Sequence, residues 1–201
     1  MKEIYFLSGS IGVGKSTILE KLKKTKKYEV VTEFDLENPL IKKIISSTYG
    51  KKKIDQGVMQ MFTFANRLMS FELSKKRKPL FVDRSPLDPL IFNKLLGFDK
   101  HPMHYAQLNL LRKYLQKYKK QLKIIYFDLE PETIIERIVE RNRENEKITR
   151  FTYKMILEWR KHLLNVCREL GLADNLVLFN IQKNWTAEQT FAHFKKFFSL
   201  E

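Results

Sequence analysis

The 201-residue sequence predicts an α/β fold with three layers, in which helices cover both faces of a five-stranded parallel sheet. Five β-prone runs alternate with helical patterns, an arrangement typical of right-handed crossovers between parallel strands. The run Ile124-Ile125-Tyr126-Phe127 is apolar without alternation, as expected for a strand that is covered on both faces. A glycine-rich turn between the first strand and the first helix agrees with the same fold class.

The elements follow one another without an interruption that would mark a second domain. The predicted strands are 3–8, 28–33, 79–83, 122–128 and 175–181. The helical patterns lie near 15–24, 54–77, 86–97, 103–119, 131–144, 152–170 and 186–198. Because there is no internal repeat and no Pro/Gly-rich linker, we expect a single domain over 1–201. Ligands of such sheets bind beyond the carboxyl ends of the strands, so the residues that follow each strand are candidates for a site.

The composition indicates a globular chain with a basic surface. It is 43% hydrophobic and 30% charged, and 38 Lys+Arg against 23 Asp+Glu give a net charge of +15. The lysines form short scattered groups without interleaved aromatic residues, so we expect solvated helix ends and no nucleic-acid partner. No apolar run reaches the roughly 20 residues that span a bilayer, and we expect neither a membrane partner nor a signal peptide. Cys167 is the single cysteine, which favours a reducing, cytoplasmic location.

A phosphate-binding loop follows the first predicted strand. Residues 9–17 are GSIGVGKST, which fits G-x-x-x-x-G-K-[S/T] between a strand and a helix. Backbone amides of the loop and the helix N-terminus would hold phosphates, Lys15 would reach the β- and γ-phosphates, and Ser16 would bind Mg²⁺. We therefore predict that the loop binds ATP with Mg²⁺, and we expect Lys15 to face solvent. The predicted loop contacts are Gly9, Ser10, Ile11, Gly12, Val13, Gly14, Lys15, Ser16 and Thr17.

Two other predicted strands end in groups that suit phosphoryl transfer. The second ends at Glu33, where a carboxylate beside the loop could act as general base for an attacking hydroxyl. The third ends at Asp83, which could hold Mg²⁺ directly or through water. Arg84, which follows, could bind a phosphate oxygen or the base carboxylate. An isolated Asp-Arg pair is commonly an ordinary ion pair, but its place beside the loop favours a function.

An arginine-rich segment follows the fourth predicted strand. Arg137 and Arg141 are one turn apart on the predicted helix 131–144, whereas Arg143 joins their face only where the helix bends or ends. Arginines beside such a loop predict charge stabilisation by a lid at about 137–150. A solvated basic face, paired with glutamates of the same helix, is the alternative. For Arg137 alone that alternative stays open.

Taken in order, these motifs resemble those of the deoxynucleoside kinase family, particularly the bacterial deoxyadenosine/deoxyguanosine kinase type. After the loop come Thr32-Glu33, Glu37-Asn38-Pro39-Leu40, Tyr49, the segment from Gln60 to Arg67, Asp83-Arg84-Ser85 and the arginine-rich lid. The resemblance covers nearly the whole chain. It implies a P-loop kinase fold, a homodimer, and transfer of the γ-phosphate of Mg-ATP to the 5′-hydroxyl of a deoxynucleoside, with purines slightly favoured.

The resemblance also implies roles for individual residues. Glu33 would be the general base and Arg84 would orient it, while Tyr49 and Glu146 would bind the 3′-hydroxyl. Gln60 would pair with the nucleobase edge. The implied catalytic residues are Glu33, Arg84, Lys15, Arg141 and Arg143. The donor contacts beyond the loop are Arg137 and Arg141, the metal ligands are Ser16 and Asp83, and the substrate contacts are Glu33, Tyr49, Gln60, Phe64, Arg67, Arg84, Asp88 and Glu146.

One segment departs from the family pattern. The family tends to carry a small or acidic residue four positions after Asp83-Arg84-Ser85, near the base. This chain has Pro89 there, and Asp88 stands one position earlier. Either Asp88 takes over that role from a shifted backbone, or the base pocket differs.

Two other functions stay open on the sequence. A nucleoside monophosphate kinase of the thymidylate kinase type shares the sheet and an Asp-Arg pair, but a carboxylate at Glu33 would repel an acceptor phosphate. A P-loop switch or binding module should carry a guanine-recognition N-K-x-D segment, and Gln182-Lys183-Asn184-Trp185 after the fifth strand does not match it.

Overall fold

The structure, a computed structural model, describes residues 2–32, 56–74, 78–141 and 148–200. Within these ranges five parallel strands form one sheet in the order β2-β3-β1-β4-β5. The strands are β1 (Ile4–Ser8), β2 (Glu29–Val31), β3 (Leu80–Asp83), β4 (Leu122–Asp128) and β5 (Leu176–Asn180). Each lies within a predicted run, and the predicted five-stranded parallel sheet is confirmed.

The helices of the described ranges match the predicted order. They are α1 (Lys15–Thr25), α2 (Gln56–Leu73), α3 (Asp88–Leu96), α4 (Pro102–Gln116), α5 (Pro131–Arg141), α6 (Arg150–Glu169) and α7 (Ala187–Phe197). Local sequence fixes several ends: Thr186 forms a capping box with Gln189 at the start of α7, and Thr149 accepts from Thr152 N at the start of α6. None of these helices is both long and apolar enough to cross a bilayer.

Alternate residues of β1 face two separate cores. Ile4 and Phe6 pack in a core that also takes buried residues from α2, α3, α4 and α6. Tyr5 and Leu7 pack in a second core, which is built mainly with α1, α5 and α7. Because the central strands β1 and β3 are buried on both faces, they read as continuous apolar runs that do not alternate with polar residues before their last positions. The three predicted layers are therefore confirmed.

The parallel register brings the ends of the central strands to one edge of the sheet. Leu7 pairs with Asp83 of β3, and Ser8 pairs with Tyr126 of β4. The loop that follows β1 and the residues that follow β3 therefore start side by side. This edge holds the candidate site.

Candidate active site

The loop between β1 and α1 has the backbone that its glycines permit. Gly14 caps α1 with a φ of 95°, in the left-handed region that favours glycine. A Cβ at Gly12 would lie 3.0 Å from Ile134 Cγ2 and 3.1 Å from Ile138 Cγ1, so α5 packs directly on the loop. Gly14 offers no side chain to cap α1, so the amides of the first turn are available to an anion.

Lys15 is buried, with 6% of its surface exposed. Its Nζ donates hydrogen bonds of 2.8 Å to the carbonyl oxygens of both Gly9 and Ser10. The expectation that Lys15 faces solvent is therefore wrong. The side chain starts at the first residue of α1 and folds back over the loop, where carbonyl oxygens attract an ammonium group that has three donors. The positive charge lies inside the curve of the loop, while Ser16 and Thr17 are exposed beside it.

The end of β3 carries a compact charged pair. Arg84 has a φ of 56°, which is uncommon for a residue other than glycine. Its Nη1 lies 3.8 Å from Oδ2 of Asp88, whose side chain is fully buried. Ser85 Oγ donates to Asp88 Oδ1 at 3.3 Å and accepts from Leu87 N at 3.2 Å. The structure thus brings the predicted residues Arg84 and Asp88 together, and this hydroxyl holds the carboxylate that faces the guanidinium.

Gln60, Phe64 and Arg67 follow one another along one side of α2. Phe64 and Arg67 are buried, with 3% and 4% exposure. Phe64 packs in the core beside the sheet. The amide oxygen Oε1 of Gln60 is buried and has no hydrogen-bond partner among the described residues. A buried amide oxygen without a donor is costly, so this position suits a ligand that brings an N–H group.

A cleft of about 220 Å³ opens beside the loop on the side of α5 and α7. Its lining residues are Val13, Gly14, Thr17, Ile18, Arg137, Trp185, Ala187 and Thr190. The ring of Trp185 stacks on that of His193, with the ring centres 4.1 Å apart and an angle of 5° between the two planes. Across the rim, Lys183 Nζ lies 3.0 Å from Glu136 Oε1 and joins α5 to the segment before α7.

Arg137 of α5 lines this cleft, and its contact with the donor stays a prediction. Partial burial lowers the pKa of Arg137 from its ordinary value, and the neighbouring Arg141 acts in the same direction while Glu140 opposes it. Arginine stays protonated at neutral pH because its pKa starts so far above that range. Arg141 is exposed at the end of α5. Trp185 also lines the cleft, but the residues around it, Gln182-Lys183-Asn184-Trp185, carry no motif that predicts this position.

The match to known proteins decides the family. The sequence matches the deoxynucleoside kinase family over residues 6–190. The chain belongs to the deoxynucleoside kinase family. Deoxynucleoside kinase activity with ATP as phosphoryl donor, which the sequence analysis predicted, is therefore confirmed at the level of the family.

Solved structures of deoxyadenosine kinase from M. mycoides share the fold. The one with bound dATP has a TM-score of 0.66 and 20% identity over 98% of this chain and 99% of that chain. The one with the products dCMP and a flexible dCDP has a TM-score of 0.66 and 21% identity over 98% of both chains. The one with bound dCTP has a TM-score of 0.65 and 20% identity over 98% of both chains. A search of curated proteins with the sequence finds no match.

Two predicted metal ligands of this kinase lie in the described residues. Ser16 offers a hydroxyl in the first turn of α1, and Asp83 offers a carboxylate at the end of the neighbouring strand. Within the same residues there is no group of three or more His, Cys, Asp and Glu side chains that could hold a metal ion. Mg²⁺ needs no such group, because it keeps several waters and takes phosphate oxygens beside one or two protein ligands. The two oxygen donors fit Mg²⁺.

Several predicted residues lie outside the described residues. They are Glu33, Tyr49, Arg143 and Glu146, together with 142–147 of the predicted lid. Their implied roles as general base, 3′-hydroxyl contacts and donor contact stay predictions.

Proposed function

We propose that this deoxynucleoside kinase transfers the γ-phosphate of Mg-ATP to the 5′-hydroxyl of a deoxynucleoside, with purines favoured over pyrimidines. The observation that carries the proposal is the adjacency of two groups at one sheet edge. The loop encloses the Lys15 ammonium, and the neighbouring strand ends in the Arg84–Asp88 pair. The purine preference is supported by the likeness to a deoxyadenosine kinase.

On the donor side, the first-turn amides of α1 and the loop amides bind the phosphates. The Lys15 ammonium exchanges its bonds with Gly9 and Ser10 for bonds to phosphate oxygens, and it neutralises charge on the β- and γ-phosphates. Arg137 and Arg141 add positive charge from α5. The donor base fits the cleft between Arg137 and Trp185, because an indole face supports stacking and a guanidinium can lie over a ring.

On the acceptor side, Gln60 pairs with the edge of the nucleobase and thereby satisfies its buried Oε1. Asp88 and Arg67 line the same region of the acceptor, and Arg84 orients the Glu33 carboxylate. Glu33 accepts the proton of the 5′-hydroxyl as the new bond from the sugar oxygen to Pγ forms. The bond from Pγ to the bridging oxygen breaks at the same time, and ADP leaves. Ser16 and Asp83 would hold Mg²⁺, which would neutralise charge at the phosphates.

A panel of acceptors tests this function. Deoxynucleosides, ribonucleosides and nucleoside monophosphates are each mixed with Mg-ATP and the protein, and ADP release is followed. We expect ADP release with deoxynucleosides, fastest with a purine. Acceptance of monophosphates alone would support the thymidylate kinase type, and slow hydrolysis that no acceptor stimulates would support a P-loop switch.

Replacement of Gln60 by alanine tests the acceptor pocket. We expect the KM for the preferred deoxynucleoside to rise about 10-fold, or the order of base preference to change, because the base loses one buried hydrogen-bond partner. The KM for ATP should stay unchanged. Gln116→Ala, an exposed glutamine at the end of α4, is the matched control. Equal kinetics for the Gln60→Ala and Gln116→Ala proteins would remove Gln60 from the pocket.

We also propose a homodimer that forms through α2 and α4. Large apolar side chains are exposed on this surface: Val58, Met61, Met69 and Leu73 of α2, and Tyr105 and Leu110 of α4. The two helices touch, since Gln107 Nε2 of α4 lies 3.3 Å from Met61 Sδ of α2. Lys117, which directly follows α4, has its Nζ 3.7 Å from Glu72 Oε2 of α2. Exposed apolar side chains on adjacent helices are typical of an interface between subunits.

Light scattering tests the homodimer. We expect a mass twice the 24.1 kDa of one chain. Met69→Lys combined with Leu73→Lys should shift the protein towards the monomer, because two charges would be buried in the interface. Leu157→Lys changes an equally large exposed side chain on α6, where we expect no effect on the mass. A monomeric wild-type protein at working concentrations would contradict the proposal.

A further inference from the structure

Trp159 of α6 connects the phosphate-binding loop to the charged pair at the end of β3. Its side chain is fully buried, and its Nε1 donates a 3.0 Å hydrogen bond to Ser8 Oγ. Ser8 is the last residue of β1, directly before Gly9, and is also fully buried. The indole therefore fixes the point at which the chain leaves the sheet and enters the loop.

The ring of Trp159 also supports Arg84. The guanidinium carbon Cζ of Arg84 lies 5.5 Å from the centre of the ring. This distance is within the roughly 6 Å over which a guanidinium is attracted to an aromatic face. Phe92 of α3 packs edge-on against the same ring, with the ring centres 5.2 Å apart, and limits its rotation. The support is thus a rigid ring held from two sides.

The backbone of Arg84 explains why such support matters. A non-glycine residue with a φ of 56° is in a sparsely populated conformation, which persists where the surroundings hold it. Asp88 attracts the guanidinium through charge, at 3.8 Å, and Trp159 attracts it through its ring face. Both contacts therefore help to fix the direction of the guanidinium.

We propose that Trp159 is a positioning residue for phosphoryl transfer, which holds the entrance of the loop and the Arg84 guanidinium at a fixed separation. The proposal rests on the function proposed above, in which the loop carries the donor and Arg84 orients the general base. The indole N–H serves the donor side and the ring face serves the acceptor side. The two contacts predict different kinetic effects.

Three single variants and one double variant separate the two contacts. Trp159→Phe keeps an aromatic face but loses the N–H, and Ser8→Ala loses the acceptor of the same bond. Both should raise the KM for ATP, and the double variant should add little, because both changes remove one interaction. Trp159→Leu loses the ring as well, and its kcat should fall by about 10-fold or more, since a small misplacement of a catalytic group is costly. Trp159→Phe should recover most of that kcat.

A matched control comes from the same helix. Leu163 lies one turn further along α6, is fully buried in the same core, and has neither an N–H nor a ring. Leu163→Ala should lower the melting temperature while the kcat of the folded protein stays at the wild-type value. If folded Trp159→Leu also keeps the wild-type kcat, Trp159 is a structural residue and the proposal fails.

Fluorescence gives a test that does not need activity. The chain has two tryptophans, so Trp185→Phe leaves the emission of Trp159 alone. In this background we expect Arg84→Ala to shift the intensity or the maximum of the emission, and emission unchanged by Arg84→Ala would overturn the contact. If Trp159→Leu does not fold, this measurement still tests the contact between Trp159 and Arg84 on which the proposal rests. A wild-type protein that phosphorylates no nucleoside would defeat the proposed function, whereas the Trp159–Arg84 contact would still be read from the emission.

Discussion

Replacement of Lys15 by alanine is expected to abolish phosphoryl transfer. The ammonium lies inside the curve of the loop, where it would stabilise charge on the transferred phosphate. Removal of one such group commonly lowers kcat by about 10²- to 10³-fold, and here the lost group carries a full charge. ADP release in the presence of a deoxynucleoside measures the effect, and circular dichroism reports whether the variant is folded.

Because Lys15 is buried, the alanine variant needs controls for stability as well as for charge. Alanine also removes two hydrogen bonds to loop carbonyls, so the melting temperature should fall modestly. Lys15→Met loses the charge and both hydrogen bonds but keeps most of the aliphatic stem and its packing, and we expect it to be as inactive as Lys15→Ala. Lys24→Ala, an exposed lysine on the same helix, should retain the wild-type kcat. Near-normal turnover by folded Lys15→Met would remove the loop from the mechanism.

Replacement of Glu33 by glutamine is expected to lower kcat by about 10²-fold or more, the usual effect of losing a general base. Glutamine keeps the shape and much of the hydrogen bonding but cannot accept the proton of the 5′-hydroxyl. A nearby Arg84 would keep the Glu33 carboxylate ionised, since a positive charge favours the charged form. Affinity for ATP should be nearly unchanged. Steady-state kinetics with both substrates separates the two effects.

Asp35→Asn is the control for this assignment. Asp35 is the next carboxylate along the chain and should tolerate the change. Normal turnover by Glu33→Gln together with loss of turnover by Asp35→Asn would mean that the base is assigned to the wrong residue. If neither change matters and slow ATP hydrolysis is the sole activity, the terminal phosphate goes to water and the kinase mechanism fails.

The sequence by itself determined the elements of the fold and the chemistry of the loop. An apolar run such as 122–128 and a motif such as 9–17 are contiguous, so their local pattern contains the information that fixes them. The parallel sheet and its two helical layers follow from the alternation of strands and helices. The sequence also predicted Asp83 and Arg84 as site residues. Asp83 ends β3 and Arg84 follows it, and the carboxyl ends of parallel strands lie at one edge of the sheet.

Only the tertiary structure decided which distant side chains meet. Lys15 is buried because its side chain folds back onto the carbonyl oxygens of Gly9 and Ser10, which its motif does not specify. Asp88 lies 3.8 Å from the guanidinium of Arg84, whose left-handed backbone no residue pattern predicted. Trp159 reaches Ser8 across 151 positions of sequence, through the packing of α6 on the sheet. Such contacts depend on how whole elements pack, and the periodicity of a single helix or strand records which face is buried but not what it is buried against.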